Sequence, residues 1–346
     1  MNDLKSAVGR VSKSIAALEL KRQRISNAIK SAGNNKFHIG GKTQENIVND
    51  VRPEPVNGKF AGVDGGLLMK GFHGIDLVVT RASGVIFEYE DNLLKNSSHI
   101  NTPPLVFEVE SGAPSDLALI ASLRRTEAEL SISHRILEES PGFLFIDGSI
   151  CPHPSLRPAK TCYWKDYRKI IRMYDELIRK GKGQGTMIVG IVEDSRSTYF
   201  SNLLQTVILP GLSPETRQQF SKHLTFRDTA LLYDALAPRQ KTFTFKMDAV
   251  PDVRYGKETY AFYLKTAKYD RPVRVEFVSG NPQDDGVRIA RSVVGLSAFS
   301  DYGIPSVIIE ADARAKLTGY YMEYIERLLG KTTPLMMKLR REGRPI

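Results

Sequence analysis

Apolar residues near the N-terminus recur at alternating spacings of four and three. The stripe runs through Leu4, Val8, Val11, Ile15, Leu18, Arg22, Ile25 and Ile29. This spacing is typical of a coiled-coil seam, although Gly9 weakens the helix and Arg22 interrupts the stripe. Because so short a helix is not stable alone, residues 1–32 are predicted to form a basic heptad helix that docks on a second copy, a partner or its own domain. We favour a dimer or partner contact.

The next segment, residues 33–57, is rich in Gly, Asn and Pro. It is predicted to be a linker with at most short strands. After it, the periodicity changes to that of strands. KFAGVDGG is a short apolar strand that ends in Asp-Gly-Gly, and GIDLVVTRASGVIFEYE contains two β-branched runs around residues 82–84, which predicts a β-hairpin.

A long helix is predicted over residues 115–139, followed by the buried strand GFLFIDGS, a helix over residues 165–180 and the apolar strand TMIVGIVED. The order strand, strand, strand, helix, strand, helix, strand is that of an RNase H-like α/β fold, a mixed sheet flanked by helices. Such a sheet opens a ligand crevice at the carboxyl ends of its strands.

The second half adds a helix containing TALLYDAL and the strands TFTFKMDAV, TYAFYLKTA and RPVRVEFVS. Two helices follow, one near residues 285–300 and one beginning near Ile309. No change in composition separates these elements, so residues 58–320 are predicted to form one RNase H-like domain whose sheet they extend. Residues 321–346 are predicted to be a basic C-terminal helix and tail.

Charge is concentrated at the two ends of the chain. Residues 1–31 hold seven basic and two acidic residues, and residues 327–346 hold six and one, which together account for the net charge of +10. Basic ends suit a polyanionic partner such as DNA, and they suit solvated helix faces equally well. No apolar run approaches the ~20 residues that span a bilayer, and the two cysteines form no metal motif. We expect a cytoplasmic, nucleoid-associated protein.

Two acidic residues stand at the ends of predicted buried strands. Asp64 ends the first strand and Asp147 ends the fourth, and each is followed by glycine. A buried strand rarely tolerates a charge that is not paired or bound to a metal. Either Asp-Gly alone is more simply a turn signal. Because the first and fourth strands of an RNase H-like sheet are neighbours, the pair favours a metal site, since hard cations select carboxylate oxygens.

Glu127 is a third candidate. The predicted inward stripe of the helix over residues 115–139 runs through Asp116, Ile120, Leu123, Glu127, Leu130, His134 and Leu137. Glu129 is predicted to fall on the polar side. A carboxylate on a core face needs a partner, either a metal shared with the two aspartates or an ion pair with Arg124 or Arg125. The helix pattern does not decide between the two.

Seven short motifs, in order, make the chain resemble the NurA nuclease family over roughly residues 58–318. They are FAGVDGG from Phe60, RRTE to Glu127, FIDGS from Phe145, GIVEDS from Gly190, FRD to Asp228, RVE to Glu276, and YGIP from Tyr302 with EAD to Asp312. The resemblance implies an RNase H-like, manganese-dependent homodimer that acts on single-stranded DNA and duplex ends. It also implies a partnership with a HerA-type hexameric ATPase in 5′-end resection during double-strand-break repair.

By that resemblance Asp64, Glu127 and Asp147 match the metal-binding acids of the family. Asp312 stands where its last motif usually has histidine, and Glu193 where it commonly has lysine. Arg196 is a possible replacement for that lysine. Asp228 is a weaker catalytic candidate, because in its sequence context it is equally a helix N-cap.

Phosphodiester hydrolysis by such a site uses two cations, Mn²⁺ or Mg²⁺, about 4 Å apart. Asp64 is expected to bridge them, Asp147 and Glu127 to flank them, and Asp312 to bind metal or orient water. Candidate DNA contacts form a cluster in which aromatic and basic side chains alternate, as in single-strand binding: Lys160, Tyr163, Trp164, Lys165 and Arg168. Trp164 is equally suited to a core position.

Two other classes of function remain open. An RNase H-fold ATPase or sugar kinase also uses strand-end aspartates, but the chain has no GxxxxGK[ST] phosphate loop. A non-catalytic DNA-binding or scaffold subunit of the same complex is compatible with the departures at Glu193 and Asp312.

Overall fold

The computed structural model describes residues 2–34, 36–39, 43–110, 114–208, 226–248, 252–298, 301–330 and 334–337. The chain divides into two units, each made of three separate stretches. The first comprises Met1–Glu54, Ile191–Met247 and Glu258–Pro305, and the second comprises Pro55–Gly190, Asp248–Lys257 and Ser306–Ile346. The units therefore follow three-dimensional packing rather than the order of segments along the chain.

The second unit is built on a mixed sheet. Its strands are β4 (Gly58–Gly71), β5 (Ile75–Glu90), β6 (Leu93–Asn101), β7 (Leu105–Glu110), β8 (Phe143–Asp147) and β9 (Met187–Val192), which ends in the first unit. The strand order is β6-β5-β4-β8-β9, with β7 also paired to β5. β4 is antiparallel to β5 and parallel to β8. This is the RNase H-like order, so the predicted fold class is confirmed.

Helices cover both faces of this sheet. They are α2 (Pro114–Ile136), α3 (Trp164–Gln184), α7 (Ser306–Ala315) and α8 (Gly319–Leu329). Short 3-10 helices cover Leu137–Glu139, Pro154–Leu156, Thr161–Tyr163 and Pro334–Met336. Helices α2 and α7 both pack on β4 and β5, and α3 packs on α2. The buried β-branched and aromatic residues of β4, β5 and β8 form the core between these layers.

One sequence prediction is wrong here. Residues 82–84 are not a turn, because β5 is a single strand from Ile75 to Glu90 that pairs with β4 along its length. The small residues at 82–84 are explained by helix packing, as Gly84 shows. A Cβ atom on Gly84 would lie 2.6 Å from the Ile132 side chain and 2.9 Å from that of Ile136. Gly84 is therefore where α2 approaches the sheet, and the chain reverses at Asp91 and Asn92, which both have positive φ.

Strand β4 owes its contact with α7 to two glycines. A Cβ on Gly62 would lie 2.4 Å from the carbonyl oxygen of Val307, and one on Gly66 would lie 2.1 Å from that of Ala315. Asp64 lies between these two glycines in the strand. The glycines let a helix lie directly over the strand that carries Asp64.

The strands of the first unit pair antiparallel to one another. The strands of this unit are β1 (Lys36–Ile39), β2 (Thr43–Asn46), β3 (Val48–Asp50), β10 (Gln240–Thr242), β11 (Phe245–Lys246), β12 (Thr259–Lys265) and β13 (Val273–Val278). Its helices are α1 (Asn2–Ser31), α4 (Tyr199–Leu203), α5 (Asp228–Ala235) and α6 (Pro282–Ser297). It also contains a π-helical turn (Leu204–Ile208) and a 3-10 turn (Gly256–Glu258) that it shares with the second unit. The order is β3-β10-β12-β13, with β11 on β12 and β1 paired with β2. Three short strands thus occupy part of the predicted linker.

The two halves of α1 have different environments. Ile25 and Ile29 are buried in the core of the first unit. Arg22, which interrupts the apolar stripe, donates hydrogen bonds to the Ala230 carbonyl (2.8 Å) and the Asp234 carboxylate (2.6 Å) of α5. Arg22 is therefore an anchor that fixes the C-terminal half of α1 to its own unit. The preceding seam residues are 51–67% exposed: Leu4, Val8, Val11, Ile15 and Leu18.

Within the described parts of the chain, no helix combines the length and apolarity that a bilayer crossing requires.

We predict that Gly66→Ala destabilises the second unit by about 1–3 kcal/mol, since the added methyl group overlaps backbone of α7 and has no flexible side chain to displace. The measurement is urea unfolding followed by the fluorescence of Trp164, the single tryptophan of the chain. The matched control is Gly183→Ala in α3, where a Cβ meets open space and alanine favours the helix by about 0.5–1 kcal/mol. Equal stability of the two variants would contradict this account of the β4–α7 contact.

Candidate active site

Asp64 and Asp147 lie side by side. Asp147 is the last residue of β8, as predicted, whereas Asp64 lies in the middle of β4, so the prediction that its strand ends at Asp64 is wrong. β4 and β8 pair in parallel through Val63 and Ile146, so the next residue of each strand, Asp64 and Asp147, occupies the adjacent position. The Asp64 side chain is only 5% exposed. Burial, together with the negative charge of Asp147, raises the pKa of Asp64 to about 7. The fold thus brings two carboxylates into a place where their charges repel and water screens them poorly.

A sharp turn follows Asp147. Gly148 has a φ of +110°, a conformation that side-chain-bearing residues rarely adopt. On the neighbouring strand, a Cβ on Gly190 would lie 2.6 Å from the Gly148 carbonyl oxygen. The two glycines let the chain leave β8 at once, so β8 ends directly after Asp147 while β4 continues to Gly71.

Arg125 and Glu129 complete the immediate surroundings. From α2, Arg125 donates to Asp64 Oδ1 at 3.2 Å and to Glu129 Oε1 at 2.7 Å. A Cβ on Gly65 would lie 2.4 Å from Glu129 Oε1, so the glycine provides the space for this carboxylate. Burial, with a contribution from the charge of Asp64, raises the pKa of Glu129 to about 7. The prediction that Glu129 falls on the polar side of α2 is wrong, because its side chain is only 12% exposed.

Glu127 has different partners. It accepts hydrogen bonds from Arg124 (2.9 Å) and from Lys169 of α3. Burial acts to raise the pKa of Glu127, but these two cations lower it below its ordinary value. These contacts favour the ion-pair alternative for Glu127. The glutamate that shares a partner with Asp64 is Glu129, since Arg125 donates to both. Lys169 was missed at the sequence level, where it has no distinguishing feature.

Asp312 is exposed on α7, while Val307, Ile308 and Ala311 of the same helix are buried. Its role as ligand or water-orienting group stays a prediction, and the described contacts do not connect it to Asp64.

The remaining catalytic candidates belong to the first unit. Asp228 is fully buried and accepts hydrogen bonds from the Phe200 and Ser201 amides, the Ser201 hydroxyl and the Tyr263 hydroxyl at 2.6–2.9 Å. It therefore caps the start of α4, although α5 is the helix that it begins. Glu193 is half-buried and Arg196 exposed in the segment after β9.

The predicted DNA contacts lie before and within the first turns of α3. Lys165 and Arg168 are exposed, and Tyr163 and Trp164 are half-buried. Lys160 donates to Asp116 at 2.5 Å. Trp164 packs edge-on against Tyr167 and lies under the Arg157 guanidinium at 5.7 Å. Aromatic and cationic groups thus share one end of α3.

The donor set fits a hard divalent cation. Three carboxylates, those of Asp64, Asp147 and Glu129, surround one guanidinium, that of Arg125, so negative charge is in excess at a buried position. Among the described residues, no group of three or more Asp, Glu, His or Cys side chains forms a ready-made metal cage. A cation held mainly by the aspartate pair would therefore take its other ligands from water and phosphate, as Mg²⁺ commonly does.

An RNase H-like sheet with neighbouring aspartates on the parallel strands β4 and β8 places the chain in the class of RNase H-like nucleases. Residues 58–317 match the family model described as the NurA domain. The chain therefore belongs to the NurA family. Comparison with curated proteins finds no significant match.

Solved NurA structures share the fold. The NurA nuclease from Sulfolobus solfataricus superposes with a TM-score of 0.62 at 15% identity, over 95% of this chain and 96% of that one. A NurA structure with bound dAMP and manganese gives a TM-score of 0.53 at 10% identity, over 95% and 98% of the two chains. At these identities the likeness is one of fold.

We predict that Asp228→Ala costs about 2–4 kcal/mol of stability in the first unit, because it removes the acceptor for buried amide and hydroxyl groups. Circular dichroism during thermal unfolding measures this loss. Asp301→Ala, at an exposed position of the same unit, is expected to stay within about 0.5 kcal/mol of wild type. A stable but inactive Asp228→Ala variant would instead support the catalytic role considered from the sequence.

Proposed function

We propose that this chain is a divalent-metal-dependent deoxyribonuclease that hydrolyses phosphodiester bonds in single-stranded DNA and at duplex ends. The proposal rests on the family membership and, above all, on the side-by-side placement of Asp64 and Asp147. A fold gains little stability from two like charges held side by side where water screens them poorly. Their adjacency is readily understood if a bound cation stabilises it during function.

Asp64 and Asp147 are the proposed principal ligands, and Glu129 the third carboxylate. Glu129 takes the place expected for Glu127 because it shares Arg125 with Asp64, whereas the partners of Glu127 are Arg124 and Lys169. Mn²⁺ or Mg²⁺, as two ions in the full arrangement, would neutralise charge at phosphorus and lower the pKa of a bound water. Manganese bound to another NurA protein supports the choice of metal.

The side chains of the site divide the remaining work. Arg125 holds the carboxylates of Asp64 and Glu129 in position through hydrogen bonds to both. Its guanidinium is 37% exposed, so a phosphate oxygen can approach it from solvent. The low exposure of Asp64 keeps bulk water from screening the interaction between ligand and cation. Lys169 and Arg124 add positive charge on the α3 side.

The DNA strand is proposed to run along the start of α3. Lys160, Lys165 and Arg168 would neutralise phosphates, and Tyr163 and Trp164 would stack on unpaired bases. The α2 segment Arg124–Glu127 links this region to the carboxylates, since Arg124 contacts Asp166 of α3 at 3.4 Å while its neighbour Arg125 contacts Asp64.

The exposed half of α1 is proposed to be the assembly surface. Its five apolar seam residues have no cover within the described chain, and a coiled-coil contact with a second copy would bury them. The implied biological setting is a homodimer that works with a HerA-type hexameric ATPase in 5′-end resection.

The nuclease proposal is tested with labelled single-stranded DNA in Mn²⁺, in Mg²⁺ and in EDTA. Cleavage should require metal, and Asp64→Asn and Asp147→Asn should each lower the rate by about a thousandfold, equivalent to about 4 kcal/mol of transition-state stabilisation. DNA binding, measured by fluorescence anisotropy in EDTA, should persist in both variants.

The same assay distinguishes the two glutamates of α2. Glu129→Gln should reduce metal-dependent cleavage by about a hundredfold, whereas Glu127→Gln should change it less than about threefold, since it removes only a partly exposed ion pair. The opposite ranking would restore Glu127 as the ligand. ATP hydrolysis without cleavage would indicate an RNase H-fold ATPase, and metal-independent DNA binding without cleavage a scaffold subunit.

We predict that the double variant Val11→Asp and Ile15→Asp halves the mass measured by light scattering after size-exclusion chromatography, because like charges would face each other across the seam. The control, Ser6→Asp with Ala17→Asp, adds the same charge to exposed positions off the seam and should leave the mass unchanged. A monomeric wild type, or an unchanged mass in the seam variant, would contradict assembly through α1.

A further inference from the structure

The four residues that line one side of a cavity in the second unit follow a helical repeat. Trp164, Tyr167, Arg168 and Ile171 are at positions i, i+3, i+4 and i+7 of α3, so they form one face of the helix. Such a face normally packs into a core. Here it borders a cavity of ≈ 520 Å³, with Asp252 on its rim. Cavities of this size accommodate small ligands.

The polar groups of this cavity are held in place. The Tyr167 hydroxyl donates to Asp252 Oδ2 at 2.8 Å, and burial together with this contact raises the pKa of Tyr167, so the hydroxyl stays a donor. Arg157 Nε lies 3.9 Å from the same carboxylate oxygen, a loose ion pair. Asp252 is 25% exposed and keeps further lone pairs for a ligand. Arg168 is exposed and belongs to the lining of the cavity.

The combination of groups defines the chemistry of the ligand. The half-buried indole of Trp164 offers a surface for a flat π-system, and the surrounding arginines fit a ligand attached to a polyanion. Because Asp252 supplies a carboxylate and Arg168 a guanidinium to the same lining, they suit a ligand whose edge offers both hydrogen-bond donors and acceptors. Among the DNA bases, guanine offers two N–H donors on its Watson–Crick edge, suited to Asp252, and the O6 and N7 acceptors that Arg commonly reads. Thymine offers a single N–H donor.

We propose that this α3 cavity is a base-binding subsite that takes one unpaired nucleobase of the DNA strand, with a preference for guanine. The inference rests on the proposed function, since it names a subsite for the same DNA substrate. Trp164 supplies the stacking surface, Asp252 reads the donor edge and Arg168 reads the acceptor edge. A nuclease that cuts single strands would thereby pause or cut preferentially at a fixed distance from guanine.

Because Trp164 is the single tryptophan of the chain, its fluorescence reports stacking directly. The wild-type protein is titrated in EDTA, where no cleavage occurs, with oligo-dT and with the same oligomer carrying one central dG, dA or dC. Anisotropy of a label on the DNA gives binding independently. We expect quenching of Trp164 by all four oligomers and about tenfold tighter binding for the dG oligomer than for oligo-dT.

Two variants separate recognition from charge. Asp252→Asn should abolish the preference for dG while leaving the quenching, since the stacking surface is intact. Arg168→Gln should weaken dG binding by about tenfold, whereas Arg179→Gln, which removes the same charge from an exposed position farther along α3, should weaken all oligomers alike and only slightly.

DNA binding with no change in Trp164 fluorescence would overturn the subsite while leaving the nuclease proposal intact, and would indicate another occupant, such as a partner side chain. Quenching without any base preference, or a preference that survives in Asp252→Asn, would overturn the guanine assignment. Failure to bind any oligomer, together with failure to cleave DNA in Mn²⁺, would overturn the proposed function itself.

Discussion

Two carboxylates that meet on neighbouring strands inside a sheet impose the central constraint on this molecule. Asp64 and Asp147 are adjacent because β4 and β8 are parallel and in register, and the cost of their charge appears as the raised pKa of Asp64. Arg125 offsets part of that charge, and it also contacts Glu129. The second unit is therefore less stable with this group of acids than it would be with neutral residues at the same positions. That cost is consistent with a site selected for metal-dependent chemistry rather than for stability.

The glycines of the second unit make this arrangement sterically possible. Gly62 and Gly66 allow α7 to lie over the strand beside Asp64, Gly65 makes room for Glu129, and Gly84 brings α2 close to the sheet. At each of these positions a side chain would overlap the neighbouring element and displace it. The Asp-Gly and Gly-Gly pairs that look like turn signals in the sequence are therefore, in β4, positions of close packing within a continuous strand.

The element order and the convergence of Asp64 with Asp147 could be predicted from the sequence, because apolar strands and long helices leave strong periodic signals. Which face of α2 is buried could not be predicted. Its buried face includes the small residues Ala121 and Ala128, which a search for large apolar residues passes over, and one side of the helix faces α3 rather than the sheet. Glu127 therefore pairs with Lys169 of α3, and Glu129 pairs with Arg125, which also contacts Asp64. Likewise, small residues at 82–84 resemble a turn until the partner helix is known.

The most direct test of the account is diffraction from crystals of the protein grown or soaked with Mn²⁺, with data collected at the manganese absorption edge. The account predicts an anomalous-difference peak bonded to carboxylate oxygens of both Asp64 and Asp147, with Glu129 closer to it than Glu127. A peak bonded elsewhere in a protein that cleaves DNA, with neither aspartate among the ligands, would contradict it.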